Sequence, residues 1–245
     1  MYTSVVLTEL QIRRRIWIYL PDDYAYSEKR YPVLYMQDGQ NLFDVTTSYS
    51  GEWNIDEYLD TVEDACIVIG IDNAGDKRMH EYNPEDPVGY GRMNGRTYLD
   101  LIVKLLKPYV DEHFRTIPDQ ANTFIAGSSM GGLISFYAGL LYPDIFGGIG
   151  VLSPSFWLIP DLAGDIKART SALHQFQRYF FYAGMKEGEN LVDGIQVAAN
   201  HMEEYGGCEV KLVIEEKGKH SESSWRKIFP VFYQWLMKGS SAPGS

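Results

Sequence analysis

The amino-acid sequence predicts an α/β protein, a mostly parallel central sheet with helices on both faces. Three observations carry that reading. Short continuous apolar runs at residues 32–36, 66–71 and 124–126 have the length and composition of strands buried on both faces. Between them lie stretches with apolar residues at helical spacing, of which Tyr98, Leu101, Ile102, Leu105 and Tyr109 are the clearest. The segment 122–133, Asn-Thr-Phe-Ile-Ala-Gly-Ser-Ser-Met-Gly-Gly-Leu, passes from an apolar strand through a sharp turn straight into a helix.

Length and composition bound what the chain can be. Its 245 residues, 45% hydrophobic and 14% aromatic, support a single domain over residues 1–238 with a sizeable core. Residues 239–245 form a Gly/Ser/Pro tail outside it. The net charge of −11 opposes a phosphate backbone and argues against a nucleic-acid partner. No run of about 18 apolar residues predicts a membrane span, and residues 1–10 lack the pattern of a signal peptide, so the expectation is a soluble, cytoplasmic chain. Cys66 and Cys208 each begin an apolar strand and read as core residues. The five histidines show no ligand spacing, so neither a metal nor another cofactor is expected. Oligomeric state is left open.

The elements follow in order. Residues 3–8 and 12–20 alternate, with Ile12, Ile16, Ile18 and Leu20 against Arg13, Arg15, Trp17 and Tyr19, as antiparallel strands with one wetter face do; Arg13, Arg14 and Arg15 read as solvated. The buried strand 32–36 runs into Gln37-Asp38-Gly39-Gln40-Asn41, and a short helical pattern reaches Leu59. After the strand 66–71 comes a polar loop, residues 76–95, placed to border a ligand site. Arg78, Glu81, Tyr82 and Arg92 are its candidate substrate contacts, with an Arg-Glu pair bracing the loop as the competing view; His80 reads as a surface residue. A helix over 97–113 ends at His113, and Pro143 stops the helix that follows the sharp turn. Strands at 147–152, 179–183 and 210–214 complete the sheet, with helices over 191–205 and through Trp225, Ile228, Phe232 and Leu236. Trp157 is either an apolar wall of the site or a core residue; Trp53 and Tyr90 are aromatic candidates for a substrate or subunit contact.

The chemistry centres on Gly127-Ser128-Ser129-Met130-Gly131. A nucleophile elbow holds its serine in a strained conformation, so side chains two residues before and after would collide, and glycine at 127 and 131 removes both. The helix behind the serine turns unpaired N–H groups towards a developing oxyanion. Two backbone N–H groups are the candidate oxyanion donors, Met130 after the nucleophile and Gln40 in the loop after the first buried strand. Glu187 and Glu189 in the loop after strand 179–183 compete for the acid role, with Glu187 favoured, and His220 follows the last strand. Serine, acid, histidine is the chain order of α/β-hydrolases.

Taken together, Tyr31 to Phe43, Arg78 to Pro84, Leu106 to Val110, Ala126 to Leu133, Leu152 to Trp157, Gly184 to Gly188 and Gly218-Lys219-His220 resemble the esterase D and enterochelin-esterase-like family of α/β-hydrolases, which is related to carbohydrate esterase family 1 and the mycolyltransferases. The resemblance spans residues 12 to about 237. It implies an open sheet with little or no lid, Ser129 as nucleophile, His220 as base, an acid matching Glu187, and a small-molecule ester, of siderophore type or an acetyl or feruloyl sugar ester, as substrate. An acyltransferase on the same site and a noncatalytic binding protein on the same fold are the rival readings.

Overall fold

The computed structural model describes residues 1–6, 14–86, 91–170 and 177–238. Eight strands, β1 (Tyr2–Val6), β2 (Arg15–Tyr19), β3 (Val33–Gln37), β4 (Ile67–Ile71), β5 (Thr123–Ser128), β6 (Gly148–Leu152), β7 (Arg178–Gly184) and β8 (Glu209–Glu215), form one sheet in the order β1-β2-β4-β3-β5-β6-β7-β8. The pairs β1–β2 and β2–β4 are antiparallel. All other neighbours are parallel. This is the mostly parallel sheet with helices that the sequence predicts.

Successive residues of the inner strands face opposite sides, and both sides are dry. Val33, Tyr35, Ile125, Tyr179 and Phe181 enter one apolar cluster, whereas Leu34, Met36, Phe124, Ala126, Phe180 and Tyr182 enter the other. The first cluster is closed by α2 (Arg78–Tyr82), α4 (Met130–Leu141), α5 (Leu162–Arg169), α6 (Glu189–Gly206) and α3, in which Gly95–Leu101, Ile102–Leu106 and Lys107–His113 run on as one helix with a π turn in its middle. The wide turn lies just before Pro108, which has no N–H to continue the ladder. The second cluster is closed by α1 (Ile55–Leu59) and α7 (Glu222–Lys238).

Several local expectations change once tertiary contacts are present. The face of β2 expected to be wet is covered: Trp17 and Tyr19 are buried, Phe43 packs on both, and Trp17 Nε1 and Tyr19 Oη donate to Asp72 at 2.7 Å and Asp60 at 2.8 Å. Arg14 is not solvated; it is forked onto Glu81, Nη1 to Oε2 at 2.6 Å, which also removes Glu81 from Arg78. Arg13 and Tyr90 lie outside the described residues, as do residues 239–245. Residues 76–95 are not one loop, because α2 forms within them. Trp53 is buried, 6.0 Å from the Trp225 ring. The helix α5 has no counterpart in the sequence reading.

Both cysteines are buried and unpaired, and burial pushes each thiol up to about 12. A raised thiol leaves little thiolate at pH 8. A disulfide reagent added to native protein at pH 8 is therefore expected to label neither cysteine within minutes and both in denaturant; rapid native labelling would contradict this packing.

Candidate active site

Parallel strands deliver their C-terminal ends to one edge of a sheet, and here six loops converge on that edge, following β3, β4, β5, β6, β7 and β8. The turn after β5 is strained as the sequence predicts: Ser129 has φ 58° and ψ −122° and directly precedes α4. A Cβ on Gly127 would lie 2.6 Å from the Gly131 carbonyl oxygen, and one on Gly131 would lie 2.9 Å from Gln37 Cβ. Ser129 N–H donates to the Leu152 carbonyl at 2.9 Å, tying the turn to the end of β6, and the Ser129 carbonyl accepts from Leu133 and Ser155.

The strained turn sets the hydroxyl against the loop after β8. His220 Nε2 is 2.9 Å from Ser129 Oγ, and His220 Nδ1 is 2.6 Å from Glu187 Oε2. Glu187 is the acid that reaches the histidine; Glu189 sits exposed in the first turn of α6. The Glu187 side chain is 0% exposed, and its other oxygen is held on both sides, by Ser153 Oγ at 2.8 Å and Gly184 N–H at 2.6 Å. Ser153 Oγ in turn accepts from Trp225 Nε1 at 2.9 Å, and the Trp225 ring stands edge-on to His220 at 5.0 Å. A carboxylate with both oxygens engaged stays an acceptor, so His220 Nδ1 is the protonated nitrogen and Nε2 is left to accept from the serine.

Gln40 and Met130 are the two oxyanion candidates. Gln40 lines the same cleft as Ser129, and Met130 opens α4. Among the described residues neither backbone N–H has a protein acceptor. The chain reaches Gln40 through Asp38, itself in the left-handed region at φ 56°. Arg78 fixes that residue: Nε meets Asp38 Oδ1 and Nη2 meets Oδ2, both at 2.7 Å, while Asn73 Nδ2 donates to Oδ1 at 2.6 Å. Burial works against the Arg78 cation, but the Asp38 carboxylate outweighs it and raises the guanidinium further.

The other substrate-contact candidates separate. Tyr82 is 0% exposed, and its hydroxyl accepts from the Asp38 N–H at 3.2 Å, so it braces the loop after β3 and does not reach a ligand. Arg92 is exposed and outside the lining of the cleft. Trp157 is 64% exposed, which rules out the core reading; with Phe156, Leu191 and Pro154 it borders a hollow of about 320 Å³ beside Glu187 and His220. The main cleft, about 940 Å³, is open and lined by polar groups around Ser129. Ser153, Trp225 and Asp38 escaped the sequence reading; only the Ser153-Pro154 turn after a buried strand hinted at the first. Among the described residues no group of His, Cys, Asp or Glu is arranged to hold a metal ion, and no helix is long and apolar enough to cross a membrane.

The short Nδ1–Glu187 contact predicts a strongly downfield imidazole proton in the NMR spectrum in water. Glu187→Gln is expected to move it back towards the amide range and Glu189→Gln to leave it in place; the reverse pattern would make Glu189 the partner.

YbbA, an uncharacterized protein of Bacillus subtilis, is 28% identical over 243 residues, covering 91% of this chain and 92% of that one. An endo-1,4-beta-xylanase/feruloyl esterase of Xylanibacter ruminicola is 24% identical over 229 residues, 90% of this chain but 29% of that longer protein. Among solved structures, the enterobactin esterase of Shigella flexneri superposes with a TM-score of 0.75 at 21% identity, over 97% of this chain and 59% of that one, and so shares the fold. The family described as "Putative esterase" matches residues 8–231, and the chain belongs to that family.

Proposed function

We propose that this carboxylic ester hydrolase works through an acyl-enzyme, with Ser129 as nucleophile, His220 as general base and acid, and Glu187 as the carboxylate that orients it. The line from Glu187 Oε2 through His220 to Ser129 Oγ, 2.6 and 2.9 Å, carries the reading. Ser129 Oγ attacks the ester carbonyl carbon as its proton passes to His220 Nε2. The carbonyl oxygen becomes an oxyanion and takes the Gln40 and Met130 N–H groups as donors. The imidazolium, stabilised by Glu187, gives its proton to the departing alkoxide, and the alcohol leaves. Water then attacks the acyl-serine with the same base, releasing the acid and restoring the hydroxyl. The open polar cleft suits a small or medium ester, with siderophore-type and acetyl or feruloyl sugar esters as the candidate classes and the exposed Trp157 as an apolar shelf for an aromatic group.

In this reading Arg78 is a positioning residue: through Asp38 it holds the backbone that presents Gln40 N–H.

The test is a panel of a short p-nitrophenyl ester, methyl ferulate, acetylated xylo-oligosaccharide and a trilactone siderophore, with the Ser129→Ala rate subtracted. Serine-dependent hydrolysis is expected, and the fastest member names the substrate class; no difference from Ser129→Ala on any ester contradicts the assignment. On the best ester, Glu187→Ala is expected to lower kcat on the order of 10³-fold, while Glu189→Ala stays within about twofold, as exposed substitutions away from a site do. Arg78→Ala is expected to lower kcat about tenfold or more with KM little changed, the signature of a lost transition-state contact. A raised KM at constant kcat would instead make Arg78 a substrate ligand.

A further inference from the structure

The charge lining the main cleft bears on which esters it admits, and this step rests on the ester-hydrolase reading above. Four carboxylates line the cleft, Asp38, Asp72, Asp76 and Glu222, and Arg78 is the cationic side chain among the lining residues. The Arg78 charge is offset by Asp38, whose two oxygens take its Nε and Nη2 at 2.7 Å each. Among the lining side chains carboxylates therefore outnumber the cation four to one. Asp76 is exposed. Asp72 accepts from Trp17 Nε1 at 2.7 Å and feels Arg15 and Arg14 from outside the lining, while burial raises its carboxyl more than these lower it.

Glu222 is the informative one. As a residue it is 8% exposed, but neither of its carboxylate oxygens is a buried atom left without a partner, and its charge acts on Arg78. Its carboxylate therefore adds negative charge to the cleft it lines. It stands two residues beyond His220, in the first turn of α7, and both line the cleft with Ser129. His220 Nδ1 is tied to Glu187, so the proton for the leaving alkoxide comes from Nε2, and His220, Ser129 and Glu222 line one cleft. An alcohol half that leaves into this cleft meets its carboxylates.

We propose that Glu222 and the neighbouring carboxylates make this cleft select esters of neutral or cationic alcohols and reject those of anionic alcohols. Like-charge approach at a lined cleft slows capture and weakens binding, and salt screens it, the Debye length being about 10 Å at 0.1 M and shorter at 0.5 M.

Three butyrate esters of matched size test this: butyrylcholine, its neutral isostere 3,3-dimethylbutyl butyrate, and the butyryl ester of 3-hydroxypropanesulfonate, assayed as the Ser129-dependent rate. At low ionic strength kcat/KM for the sulfonate is expected to fall about tenfold or more below the neutral ester, with choline at or above it, and 0.5 M NaCl to bring the three within about threefold. Glu222→Gln is expected to narrow the choline-to-sulfonate ratio at least threefold; should that variant fail to fold, the salt series on the unaltered protein reads the preference. Calorimetric binding of the three esters to Ser129→Ala protein gives the order without turnover. Absence of turnover with that binding order kept would contradict the proposed function alone. A sulfonate ester handled as well as the neutral one, in turnover or in binding, or a preference that neither salt nor Glu222→Gln alters, overturns the inference.

Discussion

The site depends on one backbone conformation. At φ 58° Ser129 occupies a region that a non-glycine residue avoids, and the conformation persists only because the surroundings over-determine it. The Leu152 carbonyl takes its N–H, α4 begins at the next residue, and the glycines at 127 and 131 leave room for Gln37 and for the turn itself. One strained residue then does two things. It lifts the hydroxyl out of the sheet edge to His220, and it leaves the Met130 N–H without a protein acceptor.

The parallel sheet supplies the rest by aligning strand ends. The loop after β3 brings Asp38 and Gln40, that after β6 brings Ser153, that after β7 Glu187, and that after β8 His220. A fully buried carboxylate would be destabilising alone, and Glu187 is not alone: Ser153, the Gly184 N–H and His220 take its oxygens, with Trp225 behind Ser153. Glu222 differs: it lines the cleft, and its charge acts on Arg78.

What was legible in the sequence is what local pattern encodes. Buried strands announce themselves as apolar runs, α3 by its 3.6-residue spacing, and the elbow by two glycines at fixed offsets around Ser129; all were placed to within a few residues. Chain order then led to Glu187 and His220, which the structure brings together with Ser129. What failed was pairing across long sequence separations, which no periodicity reports. Arg14 reaches Glu81, leaving Arg78 to Asp38; Tyr82 turns inward to the same Asp38; Trp53 and Trp225 pack on each other although 172 residues separate the neighbouring Asn54–Arg226 bond. Aromatic and arginine side chains are the hardest to place because each suits both a core and a surface, and only tertiary contact decides between them.

The most direct measurement is covalent: treat the folded protein with a serine-directed alkyl phosphonate and map the adduct by peptide mass spectrometry. The proposed roles of Ser129 and His220 predict one stoichiometric adduct, on Ser129, formed slowly or not at all in His220→Ala. No adduct, or an adduct on Ser128, Ser153 or Ser155 with Ser129 unmodified, would contradict the account.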